Sequence, residues 1–166
     1  MRHSIRTLLP ILLALAPMAA ASDDKTDQAT LRGVKSVCVV VEVTGAAQDG
    51  SSITKPSLQS EVEGRLLAAG IAVDKDATTC LYLNVRPLSA MGKNGKPIGL
   101  YALDVSLQFM QMTALSRDPS LKSYSPTWSV AHMATVPIED LGHMARKLTV
   151  DLSDRFVNAF RSVNPK

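Results

Sequence analysis

Apolar and polar positions along this chain fall into blocks of two different periods, and the blocks predict six elements. Between Val34 and Thr44, valine occupies positions 34, 37, 39, 40, 41 and 43, a density of β-branched residues that predicts a central strand. Gly45–Thr54 reads as a loop. From Pro56 and Ser57 the period changes: Leu58, Val62, Leu66, Leu67 and Ala69 recur at spacings of three and four, predicting a helix that Gly70 ends in a left-handed cap. Ile71–Val73 is a short apolar piece, Asp74–Ala77 a polar turn, and Thr78–Leu88 a second strand. Asn94-Gly95 marks a turn within Ser89–Gly99, so the long third strand, Leu100–Thr113, forms a hairpin with the second. In it Tyr101, Leu103, Val105, Leu107 and Phe109 alternate with Ala102, Asp104, Ser106 and Gln108. Leu115–Pro126 reads as a polar loop and Thr127–Val136 as a fourth strand. Pro137 introduces a last helix reaching about Val163, with Glu139 and Asp140 suiting its dipole. Its apolar stripe is Ile138, Leu141, Met144, Ala145, Leu148, Leu152, Phe156, Phe160 and Val163.

The order β-α-β-β-β-α predicts an α/β fold of the α+β type. One crossover and two hairpins give a two-layer sandwich, a mixed four-stranded sheet with two helices on one face. Val37, Val39, Val41 and Val43, with Leu81, Leu83, Val85 and the Tyr101–Phe109 set, are expected beneath the helices. The opposite face stays open and more polar.

Residues 1–21 stand apart from this pattern. Arg2, His3 and Arg6 precede an apolar run from Thr7 to Met18, and Ala19-Ala20-Ala21 follows. That is the anatomy of a secretory signal peptide, too short for a membrane span. Cleavage near Ala21 removes Arg2 and Arg6, leaving 16 Lys and Arg against 15 Asp and Glu and lowering the net charge from +3 to +1. The signs are interspersed, so no basic stripe suggests nucleic acid. No second long apolar run suggests a transmembrane span after cleavage. Ser22, rather than a lipidatable cysteine, follows the small residues, so a lipid anchor is not expected. Residues 22–33 read as a flexible tail and 34–166 as a single domain, periplasmic or secreted.

An exported setting makes the two cysteines informative. Cys38 and Cys80 both alternate onto the open face of strands joined by the crossover, which favours a disulfide between them. Two unpaired small apolar residues in a packed sheet are the alternative. Catalytic signals are sparse: a nucleophile elbow of the GxSxG kind is absent, and Asp104 with His132 is the one carboxylate–imidazole combination that the strands could juxtapose for a hydrolase. Met110, Met112 and His132 are the residues that could converge on a soft metal such as Cu(I), although methionine commonly fills core gaps. No motif calls for a cofactor.

The helix end Leu66-Leu67-Ala68-Ala69-Gly70-Ile71-Ala72-Val73, followed by Leu81-Tyr82-Leu83-Asn84-Val85, carries a resemblance at the level of fold. With the signal sequence and the long closing helix, the chain resembles small α/β domains of bacterial envelope-assembly proteins. These include the lipopolysaccharide-assembly lipoprotein, the auxiliary lipoproteins of lipid transporters and the amino-terminal domain of the Tol translocation protein. The resemblance spans most of Val34–Val163 and implies a binding or assembly module with an envelope protein partner rather than an enzyme. The open face adds its own signal, since Val40, Tyr82, Trp128 and Val130 are expected there as partner-binding residues beside Cys38, Met110 and Met112. The long third strand, if it outruns its neighbours, offers an edge to a partner strand.

Overall fold

The computed structural model describes residues 23–45 and 53–165; the signal-peptide reading of residues 1–21 therefore lies outside the described residues. Its elements are α1 (Lys25–Ala29), β1 (Ser36–Val43), α2 (Lys55–Ala68), β2 (Ala72–Val73), β3 (Cys80–Met91), β4 (Pro97–Leu115), β5 (Asp118–Pro137), a 3-10 turn at Ile138–Asp140 and α3 (Leu141–Val163). The α+β class is as expected, with five strands and three helices in place of four and two.

The sheet order is β2-β1-β3-β4-β5. β1 runs parallel to β2 and β3, while β3, β4 and β5 form an antiparallel meander. β1 and β3 are thus neighbours across the α2 crossover, and Cys38 pairs in register with Cys80. The local sequence explains why α2 stops where it does. Gly70 has φ +79°, its N–H bonds to the Leu67 carbonyl at 2.9 Å, and the Ile71 N–H bonds to the Leu66 carbonyl at 2.9 Å. This pair of hydrogen bonds satisfies carbonyls that a helix end leaves open, and buried Leu66 and Ile71 supply its apolar contact. The turn points the chain directly into β2.

Burial follows the strand alternation. Val37, Leu81, Leu83, Val85, Leu103, Val105, Leu107 and Phe109 are fully buried, as are Val62 and Leu66 of α2 and Leu141, Ala145 and Phe156 of α3. Phe156 sits at the centre, with ring centroids 5.9 Å from Phe109, 5.3 Å from Trp128 and 6.3 Å from Phe160. Thr149 and Ser153, the buried polar residues of α3, return their hydroxyls to the carbonyls four residues earlier, at 2.8 and 2.7 Å. Leu67 departs from the expected stripe of α2: it points outward and is 60% exposed.

Three expectations need correction. Residues 22–33, expected as a flexible tail, contain α1, capped by Asp24, whose carboxylate accepts from the Thr26 and Asp27 N–H groups. Leu31 inserts fully into the core, and Asn164 ties the segment down by donating to the Leu31 carbonyl and accepting from the Gly33 N–H. A five-residue helix has too few positions to show a period, so only the isolated Leu31 signals this docking. Second, the Leu115–Pro126 loop is the far half of a hairpin, with β4 and β5 joined at Ser116-Arg117. β3 pairs with β4 only as far as Met110, so Gln111–Ser125 extend past it as a two-stranded ribbon. Both faces of a ribbon meet solvent, which removes the apolar alternation that normally reveals a strand. Third, Trp128 and Val130 are not on the open face. The register pairs them with Phe109 and Leu107, beneath the helices, where they are 1% and 0% exposed.

Candidate functional site

The strand residues that alternate away from the helices form a sheet face that no described element covers. The parallel register places Cys38, Val40 and Glu42 of β1 beside Cys80, Tyr82 and Asn84 of β3. The antiparallel register adds Met110, Gln108 and Ser106 of β4 beside them. The face divides into zones by chemistry.

One corner is apolar. It consists of Val40, 42% exposed, the Cys38–Cys80 bridge, half-buried Tyr82 and Met110, and the root of the ribbon, where Met112 lies opposite Tyr124. The disulfide joins adjacent strands with a Cα–Cα separation of 4.4 Å, within the range such bridges span. The pairing expected from the sequence is therefore present. Tyr82 is held by its hydroxyl, which donates to the Glu42 carboxylate. That hydrogen bond, followed by desolvation and the negative charge of Glu42, raises the Tyr82 phenol above its ordinary pKa. Burial also raises the Tyr124 phenol, against an opposing hydrogen bond from the Cys80 backbone.

Next to this corner lies a polar band. Thr44 and Asn84 are 3.3 Å apart through their side-chain oxygens, and Arg86 pairs with Asp104 at 2.9 Å across β3 and β4. Asp104 thus has a cationic neighbour on the open face. His132 is exposed and lies opposite Val105, on the helix side of the sheet. The Asp104–His132 combination considered for a hydrolase is therefore not assembled, because the two residues project from opposite faces. The same geometry separates His132 from Met110 and Met112, so the three residues considered for Cu(I) do not converge.

Of the expected partner-binding residues, the open face brings together Val40 and Tyr82 and loses Trp128 and Val130 to the core. In their place it offers Tyr124, 43% exposed, from a segment read as a loop. The error in β5 had a legible signal. Its alternate residues form two sets, Trp128, Val130, His132, Ala134 and Val136 against Ser129, Ala131, Met133 and Thr135. The first is the more apolar, and burial favours that set.

Trp128 shows what its burial requires. Its indole N–H donates to Asp23 Oδ1 at 2.8 Å, and the other Asp23 oxygen meets Arg155 of α3 at 3.3 Å. The segment before α1 thereby satisfies the one polar atom of a fully buried tryptophan. Elsewhere, a concavity of about 510 Å³ between the ends of α2 and α3 is lined by Ala69, Gly70, Phe160, Arg161, Asn164 and Pro165. Its charged side chain, Arg161, is turned toward the Ala69 carbonyl at 3.4 Å. Among the described residues, no helix is long and apolar enough to cross a membrane.

No family model and no curated protein matches the chain. Solved structures do. PelC of Paraburkholderia phytofirmans, solved as a dodecamer, aligns with 18% identity and a TM-score of 0.44 over 75% of this chain and 87% of that one. A minor lipoprotein of Acinetobacter baumannii aligns with 13% identity and a TM-score of 0.41 over 79% and 93%. Rare lipoprotein B of Shewanella oneidensis aligns with 13% identity and a TM-score of 0.39 over 75% and 94%. At such identities and TM-scores these alignments assign no residue a role.

Proposed function

We propose that this protein is an exported, non-enzymatic binding or assembly module of the bacterial envelope, contacting a protein partner or an apolar ligand through its open sheet face. The observation that carries the reading is the apolar corner of that face, Val40, Tyr82, Met110, Met112 and Tyr124 around the Cys38–Cys80 bridge. Residues of this kind are costly to leave in water unless something covers them. A disulfide suits an oxidising compartment, in keeping with the signal-like residues 1–21. Within the corner, the bridge fixes Cys38 and Cys80 and the hydrogen bond to Glu42 orients Tyr82. Preorganised apolar groups lose little entropy on binding.

The test is capture from the native envelope by residues 22–166 carrying a C-terminal tag, compared with Tyr82→Ala and Val40→Lys. Both substitutions fall on partly exposed positions and leave the core intact. The reading expects the wild type to retain a specific envelope partner and both variants to lose it while remaining folded. Full retention by both variants means that this face is not the contact.

A further inference from the structure

The outer edge of the sheet carries a second surface, independent of the apolar corner. β5 is 20 residues long and pairs on one side only, with β4. Past Thr127, whose carbonyl accepts from the Thr30 hydroxyl at 3.3 Å, its other side is a strand edge that pairs with no described strand as far as Pro137. Monomeric proteins usually blunt such an edge with charge, an interior proline or a covering loop. Here no Lys, Arg, Asp or Glu occurs from Ser123 to Val136, and among the described residues the α1 segment reaches β5 only at Thr127 and Trp128, leaving Ser129–Val136 without such a contact. The opposite edge of the sheet is β2, only two residues long. Beyond β2 the same edge is formed by residues 38–43 of β1, a shorter run that carries Glu42, so β5 is the longer uncharged edge open to a second copy.

We infer that β5 is a homodimer edge, in which two copies join antiparallel about a two-fold axis normal to the sheet at Ala131. The residues of the edge complement one another in size under this pairing. Ala131 meets Ala131, Met133 faces Ser129, His132 faces Val130, and Ala134 faces Trp128, whose ring is already committed to the core against Phe156. Each pair shares a face, so the helices of both copies lie on the same side. No two formal charges are opposed. The contact is isologous and closes at two subunits, fusing the two sheets into one. The open-face corners stay uncovered, so a failure of Tyr82→Ala to affect partner capture and a failure of dimerisation are separate results.

The experiment uses residues 22–166 with light-scattering mass after size exclusion, together with oxidative cross-linking of single cysteine variants. Axial residues of an antiparallel pair have Cα atoms about 4.5–5.5 Å apart, inside the range for a disulfide. Two copies of Thr135 would lie roughly 27 Å apart at the rise of a strand. The expected results are a dimer for the native chain and a disulfide-linked dimer for Ala131→Cys. Thr135→Cys remains unlinked, and Ala131→Lys gives a monomer with an unchanged circular dichroism spectrum. A native chain that is monomeric at high micromolar concentration overturns the inference. So does equal cross-linking of Ala131→Cys and Thr135→Cys, or an edge that takes up a different protein without self-association.

Discussion

The two faces of this sheet are built from alternate residues of the same strands, yet they are held by different forces. Beneath the helices, Leu81, Leu83, Val105, Leu107, Phe109, Trp128 and Phe156 are sealed from water, and that face is stabilised by burial and close packing. Among the described residues, the open face has no second layer. It is held by a covalent bridge between Cys38 and Cys80, by the Tyr82–Glu42 hydrogen bond and by the exposed Arg86–Asp104 pair. These links tie β1 to β3 and β3 to β4 on a face that no described element covers. Stability and binding thereby fall on opposite sides of one sheet.

The comparison predicts a gradient of effects. The largest belongs to the covered face: Phe156→Ala empties the centre of the aromatic cluster and should cost about 3–5 kcal/mol of unfolding free energy, read by chemical denaturation. A cost near zero would mean that the helices do not seal this face. Removing the bridge with Cys38→Ser and Cys80→Ser releases a loop with a sequence separation of 42. The loop-entropy model then gives a loss of about 3–4 kcal/mol. This variant sharpens the contrast, because it is the one open-face change expected to rival a core deletion. Trp128→Phe keeps most of the apolar volume but leaves the Asp23 carboxylate without its indole donor. It should cost about 2 kcal/mol. In a double-mutant cycle, adding Asp23→Ala should remove most of the difference between the native tryptophan and the Trp128→Phe variant.

Tyr82 should give the smallest stability effect. Tyr82→Phe keeps the ring and should change stability by less than about 1 kcal/mol near neutral pH. Its signature lies at alkaline pH. Because the folded state raises the phenol above its unfolded value near 10, the unfolded chain loses this proton first. The contribution of Tyr82 is therefore complete below pH 10 and declines as pH rises through the unfolded and then the folded value. An absorbance titration of the wild type against Tyr82→Phe checks this, and a Tyr82 that ionises at or below 10 would contradict the Glu42 contact.

What the sequence disclosed depended on how many positions each signal had. The alternation of Val37 to Val43 and of Tyr101 to Phe109, and the stripe along α3, repeat often enough to define both layers and the covered face. The disulfide was legible because both cysteines fall on the same side of neighbouring strands. α1 and β2 are too short for a period to emerge, and the segment leading into α1 is fixed by contacts distant in sequence, Asp23 with Trp128 and Arg155. The ribbon is not legible in the sequence, because a strand with two wet faces carries no alternation. Trp128, flanked by Thr127 and Ser129, reads as a binding residue when its neighbours alone are considered. The more apolar set of alternate residues in β5 and the pairing with Phe109 both place it in the core. The site was thus legible where it rests on strand register, at Val40, Tyr82 and the cysteines, and illegible where it rests on the ribbon, at Tyr124.

The most direct test of the division between faces is photo-cross-linking in the native envelope from two exposed positions, Val40 on the open face and Leu67 on the outer side of α2. This division predicts a discrete adduct with one envelope component from Val40 and none from Leu67. Adducts of equal yield from both positions, or from Leu67 alone, would contradict it.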